Sequence, residues 1–288
     1  MTTPSVSPQP PPQPPPDPTT PDPTTPPRGA LHIALHELRL LFTALQFLTR
    51  VPVPRWVGFE PDWLNHSARY FPLIGAGVGA MGASVLWAAA QVLALPVAVW
   101  LSMAATLWLT GGFHEDGWAD TCDGLGGSVS RARALEIMKD SRIGAYGAMG
   151  LVVMLALKAA TLASLPLATG CAALLLGHCA SRAAAVGLIR FLPYAGDVEH
   201  AKAKPLAQRI SAAGFAVACA WPVAAVVALM VWNAHWALAA TGGVVVAAIG
   251  AAWCARWFRR RLGGVTGDTL GATQQLTELL VLLWFAVA

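Results

Sequence analysis

The chain has 288 residues, of which 56% are hydrophobic and only 12% are charged, and its net charge is +4. Because soluble domains hold about a quarter of their residues as charges, this composition excludes an ordinary soluble domain and indicates an integral membrane protein. The basic residues lie at the ends of apolar runs rather than among exposed aromatic residues, which argues against nucleic-acid binding. The five cysteines form no CxxC pair, so we expect neither disulfides nor a zinc site.

The N-terminal 27 residues hold thirteen of the twenty-two prolines. A segment of this composition cannot bury a core, so residues 1–28 are predicted to form a disordered tail with polyproline II character. It lacks the basic start and apolar centre of a signal peptide. Residues 29–288 then form one membrane-embedded domain.

Residues 31–49 predict an amphipathic helix with one narrow polar stripe. The stripe consists of His32, His36, Arg39, Thr43 and Gln46. Charged residues in mid-segment favour a helix that lies in the membrane interface over one that crosses the bilayer. Pro52 and Pro54 end it.

Seven apolar segments follow, most of them close to the ~20 residues that a membrane-spanning helix needs. They cover about 71–94, 97–113, 145–166, 170–190, 211–232, 236–256 and 273–288. The predicted fold is therefore all-α, a polytopic bundle of six to seven transmembrane helices plus the interfacial helix. Gly75 and Gly79, four residues apart in the first segment, predict a face for close helix packing.

Basic residues alternate between the connections and predict the orientation of the chain. The basic connections contain Arg50, Arg55 and Arg69; Arg131, Arg133, Lys139 and Arg142; Lys202, Lys204 and Arg209; and Arg256 with Arg259, Arg260 and Arg261. The intervening connections, near 95–96, 165–170 and 233–235, have no Lys or Arg. The positive-inside rule then places the basic connections in the cytoplasm.

Residues 110–147 contain six of the fifteen acidic residues, between two nearly uncharged apolar segments. Helical spacing would put Asp116, Asp120 and Asp123 on one face, and Glu115 is adjacent. Carboxylates on one helix face repel one another, and a hard cation that binds oxygen would offset this repulsion. These four residues are therefore candidate ligands for Mg²⁺. The alternative is a solvated acidic helix start that is stabilised by the helix dipole.

Two further groups lie on the same predicted side of the membrane. Lys139 and Arg142 flank Asp140 and could clamp a phosphate, although a plain surface salt bridge is the alternative. Asp268 ends a glycine-rich turn after the last arginine cluster and could be a metal ligand or a base.

Three ionisable residues fall inside predicted spans, where such groups are costly and usually functional. They are Lys158, His178 and Arg182. A cavity for a large polar substrate between the third and fourth spans would explain them, and snorkelling or pairing with Glu278 is the alternative.

Metal-binding carboxylates beside a basic clamp at a membrane surface point to displacement at phosphorus. A divalent ion would neutralise a diphosphate while a carboxylate takes the proton of an attacking hydroxyl. The sequence has no Walker loop, no HExxH motif and no Ser, His and Asp in the order of a known catalytic triad.

Four motifs in order resemble those of the cobalamin synthase family, the adenosylcobinamide-GDP ribazoletransferases. They are LQFLTRVPVP, GGFHEDGWADTCDGL, EIMKDSRIGAYG and RRLGGVTGDTLGA. The resemblance extends from about residue 31 to the C-terminus.

This resemblance implies a Mg²⁺-dependent enzyme of the cell inner membrane whose active site faces the cytoplasm. It would join adenosylcobinamide-GDP to α-ribazole or its 5′-phosphate and release GMP, in contact with the lipid bilayer and with other membrane-associated cobalamin-assembly enzymes. Asp116, Asp120 and Asp123 would hold metal, and Lys139 and Arg142 would meet phosphate oxygens. Asp120, Asp140 and Asp268 are the candidate catalytic carboxylates.

Two other classes stay open at this point. A CDP-alcohol phosphotransferase also places several Asp around Mg²⁺, and its pattern is Asp-Gly-x-x-Ala-Arg. This chain lacks the arginine of that pattern, because Asp116-Gly117 is followed by Trp118, Ala119 and Asp120. A transporter would bind near the bilayer midplane and often shows internal repeats, of which none is visible.

Overall fold

The computed structural model describes residues 29–196 and 206–288, and it is helical almost throughout. The predicted proline-rich tail, together with Lys202 and Lys204, lies outside the described residues. The chain divides between Glu37 and Leu38 into two compact units, and the second, Leu38–Ala288, contains all the candidate site residues.

Eleven α-helices are found in the described part of the chain. They are α1 (Ala30–Leu48), α2 (Trp63–Ser67), α3 (Phe71–Ala89), α4 (Leu95–Thr110), α5 (Phe113–Gly126), α6 (Arg131–Met138), α7 (Ala145–Ser164), α8 (Leu167–Phe191), α9 (Ala212–Trp232), α10 (Ala237–Leu262) and α11 (Gly267–Phe285). There is no strand in the described ranges; Tyr194 and Val265 form an isolated parallel bridge. The predicted all-α fold is confirmed.

Six of the described helical segments are long and apolar enough to cross a membrane, and a bent helix pair would make seven. The six are Leu31–Leu48, Trp63–Ala89, Ala145–Ser164, Leu167–Phe191, Ala212–Trp232 and Ala234–Leu262. The chain is therefore a multi-pass membrane protein. Because α1 is itself long and apolar enough to cross, its interfacial placement stays a prediction.

The bent pair consists of α4 and α5, which meet at an angle of 90°. The bend lies at Gly111 and Gly112, whose φ values of 73° and 70° fall in the left-handed region that glycine adopts without strain. The predicted span 97–113 thus ends at Thr110, and the acidic motif forms a separate helix, α5.

The last helix, α11, differs from its prediction as a span over 273–288. It begins six residues earlier, at Gly267, after a capping box in which Thr266 and Thr269 bond each other's backbone N–H. It is not among the helices apolar enough to cross a membrane, since it carries Gln274, Gln275 and Glu278. These polar side chains are buried by neighbouring helices rather than exposed to lipid, so α11 is a central helix of the bundle.

The α3–α8 pair confirms the close-packing face predicted from the glycine spacing. A Cβ atom on Gly75 would overlap the carbonyl oxygen of His178, and one on Gly79 would lie 2.5 Å from the carbonyl oxygen of Leu174. Glycine at both positions lets the two backbones touch, and this contact supports the buried face of α8.

We therefore expect Gly79→Ala to destabilise the protein by about 1–3 kcal/mol, because the added methyl group meets backbone that cannot yield. The measurement is the thermal unfolding midpoint in detergent. Gly77→Ala, on the same helix, is the matched control, since a Cβ there has nothing within 4 Å. Equal midpoints for the two variants would contradict the packing assignment.

Candidate active site

The acidic helix α5 lies backbone to backbone against the first turns of α11. A Cβ on Gly117 would come within 2.9 Å of the carbonyl oxygen of Asp268 and 3.1 Å of its Cα, and one on Gly271 would lie 3.2 Å from the carbonyl oxygen of His114. Two glycines facing each other thus bring Asp268 beside the segment between Asp116 and Asp120. The prediction that Asp268 lies on the side of the acidic motif agrees with this placement.

Asp123 is held by the start of α7. Its two carboxylate oxygens accept the backbone N–H groups of Gly144 and Gly147, each at 2.7 Å. A carboxylate at the first turn of a helix satisfies N–H groups that have no partner within that helix. The side chain therefore joins α5 to α7, and its assignment as a metal ligand stays a prediction.

The other carboxylates of α5 point in different directions. Asp116 is exposed and Asp120 is half-buried, whereas Glu115 turns into the bundle and accepts a hydrogen bond from Gln275 Nε2 at 2.9 Å. In the ranges 29–196 and 206–288, no three His, Cys, Asp or Glu side chains are placed to hold a metal ion by themselves.

An open cleft of about 620 Å³ adjoins the N-terminal end of α5. Its lining combines aromatic, glycine, basic and acidic residues: Phe47, Arg50, Thr110, Gly111, Gly112, Phe113, Glu115, Asp116, Ala119, Ile143 and Leu151. The 90° bend creates this cleft, because α5 leaves the direction of α4 at the two glycines. The cleft is large enough for a polar substrate and presents the Asp116 carboxylate to it.

The predicted phosphate clamp lies in the loop that ends at this cleft. Arg142 bonds both carboxylate oxygens of Asp140, with a shortest distance of 2.6 Å, and is itself 86% exposed. The side-chain hydrogen bonds from Arg142 lower the pKa of the Asp140 carboxyl to about 2. An exposed guanidinium beside Ile143, which lines the cleft, can exchange Asp140 for a phosphate oxygen.

The three ionisable residues of the predicted spans meet in one buried network. Lys158 Nζ donates to Glu278 Oε1 at 2.7 Å and to Gln275 Oε1 at 2.8 Å, and His178 Nδ1 lies 3.2 Å from Glu278 Oε2. Pairing with Glu278, left open by the sequence, is thus what the structure contains. The network reaches the acidic helix through the bond from Gln275 to Glu115.

A small cavity lies inside this network, between α4, α5, α7, α8 and α11. Arg182 lines it and donates to the carbonyl oxygen of His178 at 3.0 Å. Within the described residues, Arg182 Nε and Glu115 Oε2 are buried without a hydrogen-bond partner. A buried polar atom without a hydrogen-bond partner is costly, so these two atoms mark a place where a ligand or water would be stabilised.

Two residues that contribute to the site were not among the site residues predicted from the sequence. Gln275 links Lys158 to Glu115, and Arg261 donates to the carbonyl oxygen of Gly127 at 3.0 Å, at the C-terminal end of α5. The sequence does contain a signal for Gln275. Thr269, Thr273 and Thr277 are spaced four residues apart and, with the neighbouring glutamines, form a polar stripe on one face of α11.

Comparisons with known proteins agree on one family. The family described as cobalamin-5-phosphate synthase matches residues 40–286. An adenosylcobinamide-GDP ribazoletransferase of Leptothrix cholodnii is 60% identical over 261 residues, which cover 88% of this chain and 97% of the relative. Relatives with the same name from Polaromonas naphthalenivorans and Shewanella pealeana are 45% and 41% identical, over 88% and 84% of this chain and 99% and 93% of theirs. No solved structure matches the chain.

The buried ion pair makes a testable prediction. We expect Lys158→Met to destabilise the protein by about 3–5 kcal/mol, because it leaves the Glu278 carboxylate without its ammonium partner. Thermal unfolding in detergent measures this loss. Adding Glu278→Gln should recover part of the lost stability, since the double variant buries no uncompensated carboxylate.

Arg133→Met is the control, because Arg133 and Glu136 form an exposed pair at 2.8 Å whose loss should cost less than about 1 kcal/mol. If Lys158→Met unfolds at the same temperature as this control, the buried pair does not stabilise the bundle.

Proposed function

The chain belongs to the cobalamin-5-phosphate synthase family, and from that premise we propose how its acidic cleft carries out the transfer. The function is that of an adenosylcobinamide-GDP ribazoletransferase in cobalamin biosynthesis, which joins adenosylcobinamide-GDP to α-ribazole. One observation carries the assignment of the site. The acidic helix α5 opens onto the cleft and lies against Asp268 through Gly117.

In the proposed reaction a ribose hydroxyl attacks the phosphorus that is linked to cobinamide. A new O–P bond forms between the ribose oxygen and this phosphorus, and the P–O bond to the GMP phosphate breaks. The hydroxyl proton passes to a carboxylate of the site, and GMP leaves with the bridging oxygen. The product is adenosylcobalamin, or its 5′-phosphate when the acceptor is α-ribazole 5′-phosphate.

We assign the proton acceptor to Asp268 in preference to Asp140. Both were candidates, and position decides between them, because Asp140 lies on an exposed loop where it pairs with Arg142, whereas Asp268 is held against α5. Asp268 lies against Gly117, between the turns of α5 that carry Asp116 and Asp120. Arg142 and Lys139, on the loop beside the cleft, bind the phosphate oxygens.

Asp116 and Asp120 are the residues that would hold Mg²⁺. The donor chemistry fits, because Asp116 offers its carboxylate at the open cleft and Asp120 lies half-buried one helical turn further along α5. Mg²⁺ commonly takes one or two carboxylates and completes its shell with water and substrate phosphates. A diphosphate would therefore supply ligands that the described residues do not. When bound, the ion neutralises the charge of the diphosphate.

We propose that Lys158, His178 and Arg182 act on the reaction by positioning α5. Lys158 is 4% exposed and is hydrogen-bonded to Gln275, which in turn holds the Glu115 carboxylate. This chain of contacts runs from the interior of the bundle to the residue before Asp116. In this proposal Glu115 supports the metal-binding turn and is not itself a ligand.

The inner membrane, with the cleft on the cytoplasmic side, is the proposed location. Alternation of basic connections supports this orientation, and Arg261 adds to it because it bonds the carbonyl oxygen of Gly127. That contact joins the basic end of α10 to the acidic helix α5. Neither a CDP-alcohol phosphotransferase nor a transporter is favoured, since the relatives are named ribazoletransferases.

The proposed site predicts that Asp120→Asn lowers the rate of GMP release by on the order of 100-fold or more, because the amide cannot replace an anionic metal ligand. The measurement is GMP and cobalamin formation by purified protein in liposomes that are given adenosylcobinamide-GDP, α-ribazole and Mg²⁺.

Glu136→Gln is the matched control, since Glu136 is an exposed acidic residue on the next helix, paired with Arg133. Wild-type activity in Asp120→Asn would be consistent with the proposed reaction but would contradict the assignment of Asp120 as a metal ligand. Wild-type protein that is folded and releases no GMP would contradict the function.

Metal dependence is a separate prediction. We expect EDTA to abolish GMP release and added Mg²⁺ to restore it, because the diphosphate and the exposed Asp116 carboxylate repel each other without a cation between them. Titration of the initial rate with Mg²⁺ measures the requirement. A rate that is unchanged in excess EDTA would overturn the metal assignment.

A further inference from the structure

Among the residues that line the acidic cleft in the described ranges, Arg50 is the only basic one. It follows α1, and its backbone N–H donates to the carbonyl oxygen of Leu109 at 2.8 Å, which joins this segment to the last turn of α4. From the sequence it is predicted only as one of the basic residues that orient the chain. The mechanism proposed above gives it no role.

The guanidinium of Arg50 lies against the glycine bend. A Cβ atom on Gly111 would be 2.7 Å from Nε of Arg50 and 3.3 Å from its Cζ and Nη2. Because Gly111 has no side chain, the planar group can rest on the backbone at the point where α4 turns into α5. The bend that opens the cleft therefore also holds a cation at the edge of the cleft.

This guanidinium is exposed, and in the part of the chain that the structure describes it has no carboxylate partner. Glu115 and Asp116 line the same cleft, yet neither forms an ion pair with it. By contrast, three other exposed arginines each pair with a nearby acid: Arg133, Arg142 and Arg209. The planar N–H donors of Arg50 are thus available to an anion, and their geometry matches two oxygens of a phosphate.

The charged groups of the site follow a definite order along α5. Arg50 lies at the bend, just before the helix begins. Asp116 lies one turn later, since its N–H donates to the carbonyl oxygen of Gly112 at 2.9 Å. The backbone of Asp268 lies beside Gly117. At about 1.5 Å per residue, Gly112 and Gly117 are about 8 Å apart along the helix, which leaves room for a phosphoryl group between the two ends.

We propose that Arg50 binds the phosphate that leaves with GMP. The inference rests on the proposed function. In phosphoryl transfer the attacking and leaving oxygens lie roughly in line on either side of the phosphorus. With the attacking hydroxyl at Asp268, the leaving phosphate points to the other end of this segment, where Arg50 lies. There the guanidinium offsets the negative charge that the bridging oxygen gains as its bond to phosphorus breaks.

The test removes the guanidinium and keeps the backbone bond to Leu109. Arg50→Met retains most of the apolar stem, and Arg50→Lys retains the charge without the planar set of donors. Arg55→Met is the matched control, because Arg55 is an exposed arginine of the same connection and does not line the cleft. Thermal midpoints in detergent establish that each variant is folded.

Equilibrium dialysis of the full chain in detergent with Mg²⁺ measures the Kd of GMP, and initial rates in liposomes measure kcat/KM for adenosylcobinamide-GDP. We expect Arg50→Met to raise this Kd and to lower this kcat/KM, each by at least about tenfold, because hydrogen bonds to charged groups contribute on that order. Arg50→Lys should lose less than Arg50→Met. The Kd of guanosine, which has no phosphate, and the KM of α-ribazole should stay within about twofold.

An unchanged Kd of GMP in folded Arg50→Met, an equal rise in Arg55→Met, or an equal rise for guanosine would each overturn the assignment of Arg50. The two proposals also fail separately. Wild-type protein that binds GMP, loses this binding in Arg50→Met and forms no cobalamin supports the phosphate site and contradicts the proposed function. Wild-type protein that forms cobalamin and is unaffected by Arg50→Met contradicts the assignment of Arg50 alone.

Discussion

The backbone contact between α5 and α11 is the constraint on which the site depends. Gly117 and Gly271 face each other, and any side chain larger than hydrogen at Gly117 would meet the backbone of Asp268. Because both helices are held so closely, the backbone of Asp268 lies beside the segment between Asp116 and Asp120, about 150 residues away in the sequence. The bend at Gly111 and Gly112 turns α5 away from α4 and leaves the cleft at Asp116 open.

Buried charge holds this arrangement from the inside. Lys158 and Glu278 are each about 4% exposed and hydrogen-bonded to each other, in a bundle whose outer faces are apolar. Isolated, either charge would be strongly disfavoured there, so the pair and its glutamines restrict α7, α8 and α11 to one arrangement. The bond from Gln275 to Glu115 extends this restriction to the acidic helix.

Local signals predicted most of the fold. Apolar segments of membrane length and the spacing of Gly75 and Gly79 depend only on neighbouring residues, and the structure bears out five of the seven predicted spans and the packing of both glycines. The long-range partners were not predictable. Helical spacing puts Asp123 with the other aspartates, yet its oxygens accept the N–H groups of Gly144 and Gly147. The central position of α11, which was predicted only as a span over 273–288, could not be predicted because hydropathy measures affinity for lipid and not burial by other helices.

The most direct measurement is the initial rate of GMP release by Gly117→Ala. We expect a loss of at least about tenfold in a protein that still folds, because the new methyl group displaces Asp268 from α5. Gly127→Ala, at the end of the same helix, should keep its activity, since a Cβ there has only a ring atom of Tyr146 at 3.9 Å. A wild-type rate in folded Gly117→Ala would contradict the claim that this contact sets the active site.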